Sequence, residues 1–194
     1  TYDRLYTHWD NSPARDHYRI AWRAMAANTG ERTLIPAIIP PGTAHPNGVF
    51  SSGSATITGR SLVAAQASLS SLLADFTLRA LPKSGIYFPD FSRLPTLPHN
   101  HPLTTRVVLR ALRLNCVTDA YANLWAECWD EAFLDDSPIL ERHDEHPIVP
   151  EWTKDTPLRR AEDRRNAQAE IDVMVAGSYT HLTLPTICSV EVIE

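Results

Sequence analysis

The chain of 194 residues contains little glycine and cysteine and no long apolar run. None of its 7 glycines belongs to a G-x-x-x-x-G-K-[ST] or G-x-G-x-x-G sequence, which excludes the two best-known phosphate-binding loops. Its 3 cysteines form no C-x-x-C pair and no even-numbered disulfide framework. We therefore expect a reducing, cytoplasmic compartment. Because no stretch of about 18 apolar residues occurs, we expect no membrane-spanning segment.

Sequence signatures of catalysis and of metal binding are also missing. No G-x-S-x-G elbow singles out a nucleophile among the serine, histidine and aspartate residues. The string HDEH at residues 143–146 and the pair His99 and His101 carry ligand-type side chains, but they lack the helical i,i+4 pair or the Cys/His knuckle of a zinc site. We therefore predict no catalytic residue and no metal ligand, and we interpret residues 143–146 as an exposed acidic loop.

The charged residues are divided unevenly along the chain. The net charge is −5, but residues 15–113 hold ten Arg and one Lys against four acidic residues, a net of +7. Residues 114–151 hold ten acidic residues against one Arg, a net of −9. Arginine makes bidentate contacts with phosphates and with guanine edges. The division therefore favours a polyanionic partner for the first part, although two differently solvated faces of one protein would give the same pattern.

Residues 18–39 give the clearest secondary-structure pattern. Residues 18–25 alternate, so that Arg19 and Arg23 share one side of a strand and Tyr18 and Trp22 the other. Turn-type residues at 28–30 precede a second apolar run at 34–39. The pattern predicts two strands joined by a turn, with the aromatic side chains in the core and the guanidinium groups facing a polyanion.

The remaining sequence predicts an α+β fold, with a small mixed sheet and a packed helix up to about residue 98 and a mainly helical part after it. Apolar spacing and proline positions set the expected elements. These are a short strand at 49–50, a helix at 60–81, one helix or two at 103–133 with a break near 115–118, an acidic loop at 135–157 and a helix at 158–175. Cys116 and Cys128 lie in an apolar helical region, so we expect buried structural thiols.

Several motifs resemble the target-recognition region of large adenine-specific DNA methyltransferases. They are Trp22-Arg23, Asn28-Thr29, Glu31-Arg32-Thr33 and Ile38-Ile39-Pro40, followed by stretches at residues 61–98, 109–125 and 150–173. Such methyltransferases include fused restriction–modification enzymes and the methylases of BREX and DISARM phage defence. The resemblance covers roughly residues 15–176, and on that basis we assign residues 1–98 to the specificity region and residues 99–177 to the helical C-terminal region.

The resemblance implies DNA target recognition, with double-stranded DNA as the partner. Methyl transfer to adenine requires a loop for S-adenosylmethionine and an Asn/Asp-Pro-Pro-Tyr/Phe type motif, and this sequence has neither. In such enzymes both lie upstream, so the cofactor and the catalytic motif are expected in a preceding domain of the same chain. Other defence-system subunits are further expected partners. The start of the sequence lacks an initiator methionine and a signal-peptide core, and we interpret it as the interior of a longer chain.

Seven polar residues are the candidates for DNA contact. They are Arg19, Arg23, Asn28, Arg32, Thr33, Asn47 and Lys83. The two strand arginines are placed to reach phosphates or a guanine edge. At the expected turn, the amide of Asn28 either pairs with adenine or closes an Asx-turn. A local ion pair with Glu31 is the alternative for Arg32.

Other arginines are predicted to lie on solvated helix faces. Arg106, Arg110 and Arg113 share one side of the helix expected at 103–115, where tracking a DNA backbone is the alternative. The arginines at 159–165 alternate with acidic residues, which favours local i,i+4 pairing.

Two further expectations concern the second half of the chain. A non-catalytic protein-interaction module is the alternative function, and it would use the acidic region 119–151 with Trp125 and Trp129. The predicted last helix breaks at Gly177, and the following residues, 178–194, resemble translated sequencing adapter. We therefore exclude that tail from the functional predictions.

Overall fold

The computed structural model describes residues 8–9, 12–27, 29–81, 84–98, 100–143 and 146–187. Five strands and six α-helices lie within these ranges. The strands are β1 His8–Trp9, β2 Ser12–Pro13, β3 Arg19–Arg23, β4 Ala37–Ile39 and β5 Val49–Ser52. The helices are α1 Gly59–Ser70, α2 Leu72–Arg79, α3 Phe88–Phe91, α4 Thr104–Asn115, α5 Ala122–Cys128 and α6 Ala161–Ile187. The expected α+β class is confirmed.

The main sheet has three strands in the order β4-β3-β5, and both pairings are antiparallel. The expected strand pair at 18–39 is therefore present, but the sheet is not mixed. Ile20 lies opposite Ile38, and Trp22 lies opposite Phe50. Because side chains alternate along a strand, these four share one face. Ile20, Trp22 and Ile38 are buried in the core that the helices complete, with Phe50 packed against it.

The expected helix at 60–81 is two helices bent by 57° where they meet. Ser71 separates them because its side chain offers the backbone alternative hydrogen bonds. The Ser71 hydroxyl donates to the Ser68 carbonyl at 2.6 Å and accepts from the Ala74 N–H at 3.3 Å, so it ends α1 and caps α2. Among the described residues, no single helix is both long and apolar enough to cross a membrane; α1 and α2 meet that test only when taken together.

The helical second half of the chain packs on the same core as the sheet. Of the two alternatives for residues 103–133, the break near 115–118 is the one present, since α4 ends at Asn115 and α5 begins at Ala122. Cys116 and Cys128 are buried, as predicted. Burial raises the pKa of the Cys116 thiol and raises that of Cys128 to about 12, so both remain protonated at neutral pH.

Glu170 on α6 is at the centre of a buried charge cluster. Its carboxylate accepts from Arg110 Nε at 2.6 Å and from Arg142 Nη2 at 2.9 Å. It also accepts from the backbone N–H groups of Ile139 and Leu140. Arg110 is only 3% exposed, so the prediction of a solvated helix face is wrong for this residue. The cluster joins the acidic loop to α4 and α6.

Helix α6 is longer than the expected helix at 158–175 and continues through Gly177. Ser178 is buried, and the Tyr179 hydroxyl donates to the Thr96 carbonyl at 2.9 Å. The prediction of a break at Gly177 is therefore wrong. Local pairing is also wrong for Arg164, because its guanidinium donates to the carbonyls of Leu158 and Leu114, each at 3.0 Å.

Candidate nucleic-acid interface

Arg19 is buried at one end of the sheet face that points away from the core. It is 2% exposed, and its Nη2 donates to the Thr43 carbonyl at 2.5 Å. Its Nη1 lies 3.5 Å from Ser51 Oγ, on the neighbouring strand. Gly42 N donates to the Arg15 carbonyl at 2.7 Å, which brings the loop at 40–45 against the segment before β3. Arg19 therefore holds this loop to the sheet, and almost none of its side chain is exposed for contact with DNA.

Arg23 and Asn47 lie exposed together at the opposite end of β3. Arg23 is on the same sheet face as Arg19 and lies opposite Val49, the first residue of β5. Ala24 N donates to the Gly48 carbonyl at 2.9 Å, which places the turn carrying Asn47 beside the end of β3. These are the two candidates that the structure brings together on an open surface.

Arg32 and Thr33 are engaged on the helical side of the molecule. Arg32 Nη2 donates to Asp172 Oδ2 of α6 at 2.5 Å, so its ion pair is long-range and not with Glu31. Thr33 is buried, and its N–H donates to Asp75 Oδ1 of α2 at 2.7 Å. Both residues stabilise the connection between β3 and β4, and we leave them out of the proposed interface. Asn28 and Lys83 lie outside the described residues.

A depression of about 750 Å³ lies against β5, and we call it the β5 depression. The lining residues that carry polar or aromatic groups into it include Trp9, Arg19, His45, Ser51, Tyr87 and Phe88. Because β5 is at the edge of the sheet, its outer backbone groups are not paired with another strand of that sheet. The depression therefore offers aromatic surface, side-chain hydrogen-bonding groups and backbone groups in one place.

Side chains of the β5 depression form a short hydrogen-bonded chain. Ser51 Oγ accepts from Arg19 and lies 2.9 Å from His45 Nε2. His45 Nδ1 lies 3.3 Å from the Pro46 carbonyl, and because a carbonyl only accepts, Nδ1 carries a proton. With a neutral imidazole, the Ser51 hydroxyl therefore donates to Nε2. The chain fixes the side chains of His45 and Ser51 before any ligand is bound.

Two aromatic side chains form the exposed rim of the β5 depression. Tyr87 and Phe88 are 58% and 57% exposed. Their backbone is held in place, because Ile86 N donates to the Ala24 carbonyl at 2.7 Å and the Trp22 indole donates to the Ile86 carbonyl at 3.0 Å. The rim is thus fastened to β3, next to the end that carries Arg23.

Tyr87 and Phe88 of the rim, and His45 and Ser51 of the hydrogen-bonded chain, are absent from the candidates chosen by sequence. One signal was present, since Tyr87 and Phe88 are adjacent aromatic residues before Pro89. Adjacent side chains point in different directions in a helix or a strand, so at least one of two such residues can face solvent. Nothing in the sequence indicates that Trp9 and His45 line the same depression, because this depends on how separate segments of the chain fold together.

The tryptophans of the acidic region belong to the core. Trp125 is buried, and its indole N–H donates to the Val149 carbonyl at 3.0 Å. Trp129 is half-buried and packs edge-on against Phe133, with ring centroids 5.7 Å apart. Both side chains are therefore engaged within the chain and are poor anchors for a partner protein.

No candidate metal centre is found in the part of the chain that the structure describes. Within those residues, no group of three or more His, Cys, Asp or Glu side chains is arranged to hold a metal ion. His143 and His146 are both exposed, and residues 144–145 between them lie outside the described ranges.

Comparison of the chain with protein-family models, with curated proteins and with solved structures gives no match. The resemblance to methyltransferase recognition regions therefore rests on the sequence motifs alone. The candidate function is inferred from those motifs together with the surface formed by Arg23, Asn47 and the β5 depression, which we call the β3–β5 surface.

Proposed function

We propose that this chain recognises the DNA target in an S-adenosylmethionine-dependent, adenine-specific DNA methyltransferase of a restriction–modification or phage-defence system. The observation that carries the proposal is the β3–β5 surface. There an exposed guanidinium and an exposed amide lie beside the start of β5, and the later residues of that strand line a depression with aromatic and hydrogen-bonding groups. Arginine and asparagine are the side chains that pair most directly with guanine and adenine edges in the major groove.

The charge distribution supports a polyanionic partner for this half of the chain. The β3–β5 surface belongs to residues 15–113, whose ten Arg and one Lys exceed the four acidic residues. Part of this positive charge is neutralised within the fold, since Arg32, Arg79 and Arg110 are paired with carboxylates. Among the charged candidates that the structure describes, Arg23 is the one exposed on the sheet face, so it is the side chain to test first.

The proposed division of labour leaves the chemistry to an upstream domain. That domain would hold S-adenosylmethionine, which supplies the methyl group, and would carry the Asn-Pro-Pro-Tyr type motif. The β3–β5 surface would position the duplex through phosphate contacts and select the sequence through base-edge contacts. In this arrangement the chain's own residues bind and orient DNA, and none of them takes part in proton or methyl transfer.

Arg23→Ala is expected to weaken binding of duplex DNA by about tenfold at low salt. It should also reduce the slope of log K against log salt concentration by about 0.9, because one fewer counterion is released from the duplex. The measurement is fluorescence anisotropy over a salt series, with a duplex selected from a random pool for tight binding to the wild-type chain. Asn47→Ala should change the preferred sequence more than the salt slope, because a base contact carries specificity.

Arg165→Ala is the matched control for the charge. Arg165 is exposed on α6, far in sequence from the β3–β5 surface. Its replacement by Ala removes one positive charge, as Arg23→Ala does. Its effect on affinity and salt slope is expected to be small. Equal losses in the two arginine variants would contradict the proposal, and so would a wild-type chain that binds no duplex at low salt.

Docking of a partner through the acidic region is the second candidate function. Leu134 and Ile139 are each more than half exposed within this acidic segment, although Trp125 is buried and Trp129 is half-buried. Apolar side chains surrounded by acidic residues suit a partner with a basic and apolar surface, such as another defence-system subunit.

A double variant, Leu134→Ser with Ile139→Ser, tests this second function. It is expected to abolish complex formation with a protein encoded beside this chain, measured by native mass spectrometry, and to leave duplex binding unchanged. Arg23→Ala should have the reverse effect. A complex that survives the double variant would rule out this segment as the docking surface.

A further inference from the structure

The β5 depression has the size and the composition of a site for one small planar group. Its volume of about 750 Å³ lies within the range of about 300–1,000 Å³ typical of small-molecule sites. The walls combine aromatic rings with a few fixed polar groups, which is the usual composition of such sites. The volume accommodates a nucleobase with its sugar, and it is much too small for a double helix.

Exposure of the rim points to stacking as the mode of binding. Tyr87 and Phe88 leave more than half of their surface in water, although the segment that carries them is anchored to β3. Tyr87 also contacts Phe50 on β5, with ring centroids 5.8 Å apart. Stacking of a base on an aromatic side chain stabilises a complex by about 1–3 kcal/mol and tolerates any base. Two exposed aromatic rings at the mouth therefore favour a flat, π-rich ligand.

The inner wall adds groups that pair with the polar edge of a base. Ser51 and His45 are held by their mutual hydrogen bond and by Arg19. Both imidazole nitrogens and the hydroxyl proton are engaged in these bonds, so the Ser51 oxygen keeps one lone pair that can accept an N–H of a base edge. The outer backbone groups of β5 supply further donors and acceptors along the same edge.

The charged and polar side chains at the end of the sheet favour a nucleotide ligand over a peptide ligand. Exposed edge strands also bind extended peptides, and aromatic pockets assist that mode. Here, however, the exposed Arg23 and the amide of Asn47 lie where β3 ends and β5 begins, which suits a phosphodiester chain leading to the depression. We infer that the β5 depression holds one unpaired nucleobase of the bound DNA, stacked on Tyr87 and Phe88. The inference rests on the proposed DNA-binding function.

The test compares three duplexes of the same sequence by fluorescence anisotropy. One is fully paired, one carries a single bulged base, and one carries a bulged abasic sugar, which bends as easily but has no base to stack. We expect the bulged-base duplex to bind about tenfold more tightly than either of the others. With 2-aminopurine as the bulged base, its fluorescence should fall on binding, because stacking on the rim quenches it.

Phe88→Leu keeps an apolar side chain and removes the aromatic face. It is expected to abolish the quenching and to lower the ratio of affinities for the bulged-base and fully paired duplexes, measured on the same variant, from about ten to about one. Phe76→Leu is the matched control, because Phe76 is 70% exposed on α2 and does not line the depression. It should retain both effects.

Each contrary outcome has a separate meaning. Equal affinity of the wild-type chain for the bulged-base and bulged-abasic duplexes, with paired DNA still bound, would overturn the nucleobase inference and leave the proposed function intact. A preference that survives in Phe88→Leu would also overturn the inference. Failure to bind any duplex would overturn the proposed function itself. If an extended peptide binds and none of the DNAs competes with it, the β5 edge is assigned to a protein partner instead.

Discussion

Replacement of Glu170 by Gln is expected to lower the free energy of unfolding by about 3–5 kcal/mol at pH 7, the cost of removing one partner from a buried ion pair. Glu170 is fully buried and bonds to Arg110 and Arg142 as well as to two backbone N–H groups. The neutral amide leaves both guanidinium groups without this counter-charge and points N–H groups toward them. For a chain of this size the melting temperature should fall by about 6–20 °C.

The effect of this substitution should depend on pH. Burial alone would raise the pKa of Glu170, but the Leu140 N–H and the guanidinium groups of Arg142 and Arg110 together hold it below the usual range. A carboxylate with a depressed folded-state pKa stabilises the fold above its unfolded pKa of about 4.3, and that stabilisation is lost as pH falls through the folded value. The difference between wild type and Glu170→Gln should therefore be full at pH 7 and shrink below about pH 4.

Urea denaturation from pH 7 down to pH 3 measures both parts of this expectation. Glu151→Gln is the control, because Glu151 is an exposed carboxylate in the loop before α6. Removal of the Glu151 charge should change the free energy of unfolding by less than about 0.5 kcal/mol at both ends of this pH range. A loss in Glu170→Gln no larger than in this control would show that the charge cluster does not stabilise the fold.

Trp22→Ala is expected to cost about 3–5 kcal/mol of unfolding free energy, as large aromatic truncations in a core usually do. Trp22 is buried at the centre of the sheet and stacks on Phe91, with ring centroids 3.8 Å apart and an angle of 6° between the rings. Its indole also donates to the Ile86 carbonyl. Truncation leaves a cavity between the sheet and α3. It also releases the segment that carries Tyr87 and Phe88, the rim of the β5 depression.

Two companion variants make this measurement specific. Trp22→Phe keeps a ring to stack on Phe91 but loses the hydrogen bond, so its loss should be less than half that of alanine. Met25→Ala removes an exposed side chain just after the same strand and should lie within about 0.5 kcal/mol of wild type. If Trp22→Ala is as stable as Met25→Ala in urea denaturation, then the sheet is not packed on this ring as the structure shows.

Local patterns in the sequence predicted much of the fold. The alternation at residues 18–25 identified β3 and placed Arg19 and Arg23 on one face, and both features are present. The burial of Cys116 and Cys128 also followed from local composition, which left open whether residues 103–133 form one helix or two. These predictions succeeded because side-chain period and turn chemistry act over a few neighbouring residues.

The single helix expected at 60–81 shows where local pattern fails. Apolar residues continue across Ser71 with helical spacing, so the period alone gives no sign of a bend. The bend depends on the Ser71 hydroxyl, and on Asp172 of α6, whose carboxylate accepts from the Leu72 N–H at 2.8 Å. The second contact spans 100 residues, and only packing of α2 on α6 creates it.

The sequence by itself determined the class of fold, the buried face of the sheet and the excess of arginine in the first half of the chain. Only the tertiary structure decided what each arginine does. Arg19 holds a loop, Arg32 joins Asp172 and Arg110 joins Glu170, while Arg23 remains exposed. The physical reason is that a charge withdrawn from water needs a partner at hydrogen-bonding distance. Which partner is available depends on segments up to 140 residues away, whose approach no local pattern records.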